Sequence, residues 1–227
     1  MIVGRHIGIA MVLLCILGVS GEVLAAQPVP AGPQGLLDAA RRGRAEAVSQ
    51  FIAAKADLNV RDARGRTPLL IATQGNHVEV ARRLIAAGAD VNAKDELQDS
   101  PFLYAGAEGR VEILKMTLAA GADLKSTNRF GGTALIPACH YGYVDAVNVL
   151  LATAIDVNHV NSLGLTALLE AITLGDGGKK HIEIVRVLLE HGARPNLADK
   201  EGVTPLAHAT RRGYRDMIAL LRKSGAK

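Results

Sequence analysis

The chain contains no Trp, 3 Phe, 4 Tyr and 2 Cys in 227 residues. A core built on large aromatic rings is therefore excluded. The apolar share of 49% falls mainly to Ala, Leu, Val and Ile, side chains that suit close helix packing in thin layers. That share also excludes disorder, and 24 Gly with 8 Pro, set without a triplet period, exclude a collagen-like chain. Charge of one sign is lacking too. Lys and Arg number 26 against 22 Asp and Glu, a net +4, and the signs alternate, as in Arg61, Asp62, Ala63 and Arg64. A nucleic-acid surface needs a concentrated basic stripe with stacking aromatics, so no nucleic-acid partner is expected.

No apolar stretch reaches the roughly 20 residues of a membrane span. The run Ile7 to Val19 is 13 residues long, preceded by Arg5 and His6 and followed by small and polar residues up to Val23, Leu24 and Ala25. Such a three-part plan predicts a signal peptide over 1–25, cut after Ala25, followed by a flexible segment over 26–33. The expected location is periplasmic or secreted, with no stable membrane insertion after cleavage. Lipid processing at Cys15 is disfavoured, because Val12, Leu13 and Leu14 precede it where small residues are needed. With Cys15 in the leader, Cys139 stands alone and no intramolecular disulfide can form.

Laid against itself, the chain repeats. Thr67-Pro-Leu, Ser100-Pro-Phe, Thr133-Ala-Leu and Thr166-Ala-Leu recur every 33 residues, and Thr204-Pro-Leu follows after 38. Asn76, Gly109, Gly142, Gly175 and Gly213 mark a turn nine positions after each start, with Gly43 in the same role further upstream. Acids follow at Glu46, Glu79, Glu112, Asp145, Glu183 and Asp216. Gly88-Ala-Asp-Val-Asn92 closes one unit, and related segments close the others.

One unit shows why the period carries structure. Thr67 can cap a helix whose first turn accepts Pro68. Asn76 tolerates the left-handed backbone that ends it. Val78, Val80, Ala81, Leu84 and Ile85 then fall at helical spacing. Neither helix could bury its apolar stripe alone, so each unit needs its neighbours. Ala72, Ala105, Ala138, Ala171 and Ala209 align where neighbouring helices approach too closely for larger groups.

These motifs resemble those of ankyrin-repeat proteins, and the likeness covers 34–227. The resemblance implies an all-α repeat solenoid of helix-turn-helix units with β-hairpin fingers. Six units are expected, over 34–66, 67–99, 100–132, 133–165, 166–203 and 204–227, the first and last being atypical charged caps. It further implies a non-catalytic scaffold that binds another protein. The histidine usual after Thr-Pro-Leu is replaced by Leu70, Leu103, Ile136, Leu169 and Ala207, which predicts cohesion that is more apolar. Pro137 is expected to remove a hydrogen bond from the first helix of the fourth unit. The extra residues Asp176 to Lys180 read as a lengthened connection that leaves both flanking helices undisturbed. They lack the strand and the Ser or Thr of a phosphate loop.

No catalytic, cofactor or metal site is expected. His77, His140, His159, His181, His191 and His208 are dispersed, without metal-ligand spacing. Cys139 and His140 are adjacent on a helix and point apart. Candidate protein contacts are the finger residues Arg61, Arg64, Arg66, Lys94, Glu96, Gln98, Arg129, Phe130, Asn161, Lys200 and Glu201, with Phe130 foremost as an exposed aromatic. The alternatives are a self-associating structural protein and a small-molecule binder or enzyme using the concave face.

Overall fold

The computed structural model describes residues 32–227. The signal peptide, its cleavage after Ala25 and most of the segment over 26–33 are expectations on residues outside those described. Twelve helices follow in pairs: α1 (Pro33–Arg41) with α2 (Ala45–Ala53), α3 (Pro68–Gln74) with α4 (Val78–Ala86), and α5 (Pro101–Ala107) with α6 (Val111–Ala119). The remaining pairs are α7 (Leu135–His140) with α8 (Val144–Leu151), α9 (Ala167–Thr173) with α10 (Lys179–Glu190), and α11 (Pro205–Arg212) with α12 (Arg215–Lys223). Odd-numbered helices pack on odd and even-numbered on even along the stack, which makes two layers with one continuous core. The aligned alanines Ala72, Ala105, Ala138, Ala171 and Ala209 are fully buried between the odd-numbered helices.

Four of the six odd-numbered helices begin where the sequence supplies a hydroxyl, and α1 begins after Gly32 without a side-chain cap. Thr67, Ser100, Thr166 and Thr204 accept from the N–H groups of Leu70, Leu103, Leu169 and Ala207 at 3.2–3.3 Å, each cap worth about 1 kcal/mol. The fourth pair departs from this. Pro137 offers no N–H to the Thr133 carbonyl, whereas in the second unit Thr67 accepts from Ile71 at 3.0 Å. That carbonyl takes the Ile136 N–H at 3.2 Å instead. The Thr133 hydroxyl is left buried without a partner. The hydrogen bond expected to be lost at Pro137 thus takes the helix cap with it.

Turn glycines are required twice over. Gly43, Gly109 and Gly142 are left-handed, with φ of 66°, 62° and 75°; the rings of His77 and Tyr143 from the next unit lie where a Cβ would stand at the first two, and that of His181 leaves only tight room at the third. Asn76 adopts the same backbone at φ 52°, and the ring position of the following unit holds Arg110. In the fifth unit the expected residue Gly175 does not take this role. Gly177 does, at φ 72°, beneath Tyr214. The insertion also differs from a plain connection. Lys179 and Lys180 join α10, which runs 12 residues against 9 in α4 and α6.

The expected β-hairpin fingers are corrected: no strand occurs among the described residues. Each finger is a tight turn closed by one backbone bond across its base, such as Asp95 N–H to Asp99 carbonyl and Asn128 N–H to Gly132 carbonyl, both at 2.9 Å, with a second inside the turn from Gln98 N–H to the Asp95 carbonyl at 3.0 Å and from Gly131 N–H to the Asn128 carbonyl at 2.9 Å. The reciprocal donors are taken by a side chain. Asp95 Oδ1 accepts from Leu97 and Asp99, and Asn128 Oδ1 from Phe130 and Gly132, at 2.9–3.0 Å. An Asx turn therefore replaces the ladder a hairpin would need.

Cohesion between units is more polar than the missing histidines predict. His77 and His181 meet the carbonyls of Arg41 and His140 at 3.1 and 2.8 Å. At the opposite end of the units Asn59, Asn92, Asn158 and Asn196 accept from N–H groups of Asp90, Asp123, Arg194 and Lys227 at 2.8–3.0 Å. Lys125 interrupts this ladder, and Ala154 stands where its neighbours carry a left-handed glycine. A recess lined by Lys125, Thr133, Ala154, Asp156 and His159 opens at that seam between the third and fourth units.

Candidate protein-binding groove

The fingers place equivalent tip residues in a row. Arg64, Leu97, Phe130, Leu163 and Glu201 occupy the tips in order, so the three central tips are apolar and the two outer ones charged. Leu97, Phe130 and Leu163 are each about half exposed. A second row follows the C-terminal ends of the odd-numbered helices, where Tyr141 ends α7 and Leu174 ends α9. Both are also about half exposed. Large apolar side chains left half in water at helix ends and finger tips exceed what stacking needs, and the convergence of Phe130, Leu163, Tyr141 and Leu174 on one recess marks a surface built for contact.

Between the rows lies a recess of about 280 Å³, walled by Phe130, Leu163, Tyr141 and Leu174. Asp99, Tyr104, Glu108 and Glu170 also line it. Glu170, projecting from α9, is buried and receives the Asn161 amide at 3.0 Å. Burial holds its carboxyl above the usual range despite that bond. Asp99 is raised as well, by burial first and by the Asp95 carboxylate next. His140 stands 3.4 Å from Glu170, but burial and the neighbouring His181 push its pKa below the usual value. Its ring stacks on Tyr141, with centroids 4.4 Å apart. Arg129 also lines the recess, with its guanidinium 4.6 Å from the centre of the Phe130 ring.

The finger residues expected to meet a partner divide by what they already touch. Arg61 donates to the carbonyls of Gly65 and Lys94 at 2.6 Å, and Lys94 to that of Thr127 at 2.7 Å, so both stitch one finger to the next. Lys200 does the same to the Ser162 carbonyl. Arg66 holds Asp62 and Gln74, and Asn161 is buried as the turn cap of its own finger. Arg64, Glu96, Gln98, Arg129, Phe130 and Glu201 are exposed. The groove joins Phe130, Arg129 and Asn161 and leaves the others outside it. Sequence reasoning missed Leu163, Tyr141, Leu174 and Glu170. The 33-residue register contained the signal, because reading tip and helix-end positions as columns exposes the apolar residues at Leu97, Phe130 and Leu163 and at Tyr141 and Leu174.

Comparison with known proteins agrees with this architecture. A family profile described as "Ankyrin repeats (3 copies)" matches residues 36–128, 102–199 and 177–227. The chain belongs to the ankyrin-repeat family. An ankyrin repeat domain from Acinetobacter baumannii AYE is 55% identical to this ankyrin-repeat chain, with a TM-score of 0.83 over 85% of this chain and 98% of that one. The ankyrin repeat protein EF0377 is 38% identical, with a TM-score of 0.83 over 86% and 99%. The ankyrin repeat domain of Bcl-3, a member of the IkappaB family, is 27% identical, with a TM-score of 0.75 over 85% and 86%. YahD of Escherichia coli (strain K12) is 54% identical over 57 residues, 25% of this chain and 28% of its own length.

The protein is a non-enzymatic ankyrin-repeat chain, as its likeness to such domains implies. Among the described residues no group of three or more His, Cys, Asp or Glu could hold a metal ion. None of the described helices is long and apolar enough to cross a membrane. Cys139 is fully buried, and burial with the Glu170 charge raises its thiol well above the usual range, so it stays protonated and unreactive.

Proposed function

We propose that this ankyrin-repeat chain is an exported, periplasmic scaffold that holds another protein in the groove of its third to fifth units. The observation that carries the docking site is the convergence of Phe130, Leu163, Tyr141 and Leu174, each about half exposed, on one recess. The apolar run Ile7 to Val19 and the cleavage signal ending at Ala25 support export. Binding of nucleic acid is not part of this role, since the mixed charges of the chain offer no basic stripe.

Phe130 is the residue to test. Its backbone carbonyl accepts from Ser162 N–H at 2.8 Å, an interaction Ala would keep, whereas its ring is about half exposed and meets the exposed Arg129 guanidinium. In a crosslinking pull-down from envelope extract, Phe130→Ala should reduce capture several-fold, as loss of an interface anchor does. Its melting curve should match the parent's. A large fall in melting temperature, or unchanged capture, overturns the docking site. N-terminal mass analysis of the exported protein should begin at Ala26, and an intact Met1 in a cytoplasmic fraction overturns export.

A further inference from the structure

We infer that the occupant of the groove is a polypeptide segment in which a Lys or Arg side chain is flanked by bulky apolar residues. This rests on the groove being the docking face. Its walls are apolar while the acidic residues Asp99, Glu108 and Glu170 line the same recess. Among the described residues none of the three forms an ion pair with a Lys or Arg, and Glu170 meets the Asn161 amide and His140, whose charged form burial and His181 disfavour. Arg129 lies over the Phe130 ring at the mouth. A buried carboxylate without a cationic partner is held at a cost, as the raised carboxyl of Glu170 shows, and Asp99 is raised by burial and Asp95 even with Arg129 near enough to oppose the shift.

An incoming ammonium or guanidinium offsets that cost, and the apolar neighbours of the incoming residue fill the walls. Glu170 is already oriented for this by Asn161. An acidic segment meets like charge in a poorly solvated recess and is rejected. Specificity here therefore comes from the floor and contact area from the walls.

The test is a chemical-shift titration of the ¹⁵N-labelled chain with three synthetic peptides on a Gly-Ser background. One carries Arg between Leu and Phe, one replaces that Arg with Glu, and one keeps Arg and replaces Leu and Phe with Ser. The first should shift the amides of Phe130, Tyr141 and Leu174, and the other two should bind at least roughly fivefold more weakly. Glu170→Gln and Asp99→Asn should each weaken the first peptide about fivefold without changing its shift pattern. Equal binding of the Arg and Glu peptides overturns the inference, as does indifference to both substitutions. Self-association of the full chain that is lost in Glu170→Gln, with no peptide binding, assigns the groove to a second copy and overturns it too. If Phe130→Ala abolishes partner capture while these carboxylate variants do not, the docking site stands and the cationic specificity fails. If Phe130→Ala leaves capture intact, the docking site itself fails.

Discussion

Replacing a helix-capping threonine by valine keeps its shape and removes only the hydroxyl, and in this chain the sign of the effect should depend on the unit. Thr166 Oγ1 accepts from Leu169 N–H at 3.2 Å in a buried setting. Thr166→Val removes that cap and leaves a buried donor unsatisfied, a loss of about 1–2 kcal/mol. Thr133 is 2% exposed and its hydroxyl has no partner. Thr133→Val removes an unsatisfied buried group and adds a buried methyl, a gain of about 1 kcal/mol. The two variants should therefore differ by about 2–3 kcal/mol, or roughly 1 M in urea midpoint at a slope near 2 kcal/mol per M. Pro137→Ala supplies the missing N–H to the Thr133 carbonyl and releases that of Ile136 to the hydroxyl. In that background Thr133→Val should become destabilising. If Thr133→Val lowers the midpoint as far as Thr166→Val, the hydroxyl is bonded in solution and the account of Pro137 is wrong.

Two further outcomes follow from the seam and the groove floor. Lys125→Asn with Ala154→Gly should restore the interrupted amide ladder and stabilise the chain by about 1–2 kcal/mol, with slower hydrogen exchange in α6 and α8; unchanged exchange there would refute the weak seam. Glu170→Gln should raise the unfolding midpoint near pH 7, because burial holds the folded carboxyl above its ordinary value of 4.5. That penalty is complete above the raised folded value and vanishes below the unfolded one, so the advantage of the variant should shrink as pH falls towards 4.5. An advantage that grows on acidification contradicts the burial argument.

Helix starts, turn positions and buried alanines were legible because each depends on local chemistry repeated at a fixed period. Thr67 before Pro68 declares a cap wherever it occurs, and Ala72 or Ala171 is small because a neighbouring helix fills the space above it. The fingers were misread for the same reason. Whether a turn is flanked by strands depends on where the second set of donors goes, and here Asp95 and Asn128 take them with side-chain oxygens. Gly175 matched the turn register, yet the residues inserted after it moved the left-handed position to Gly177, a choice fixed by the Tyr214 ring of the next unit. The groove was hidden by reading along the chain. Its walls come from the tips of two fingers and the ends of two helices, residues up to 44 positions apart, from Phe130 to Leu174.

The seam and the groove occupy the same junction. Pro137, which removes the Thr133 cap, also lines the recess between Phe130 and Leu163. Lys125 and Ala154 weaken the opposite end of the same pair of units. Departures that cost stability and have no local compensation tend to gather where a protein meets its partner. An occupant spanning Phe130 and Leu163 touches the third and fourth fingers at once, so it adds across the seam the cohesion that the missing asparagine and cap do not provide. Occupancy of the groove should therefore protect the amides of α7 and α8 from exchange more than those of α3 and α4, and uniform protection along the stack would separate the two features.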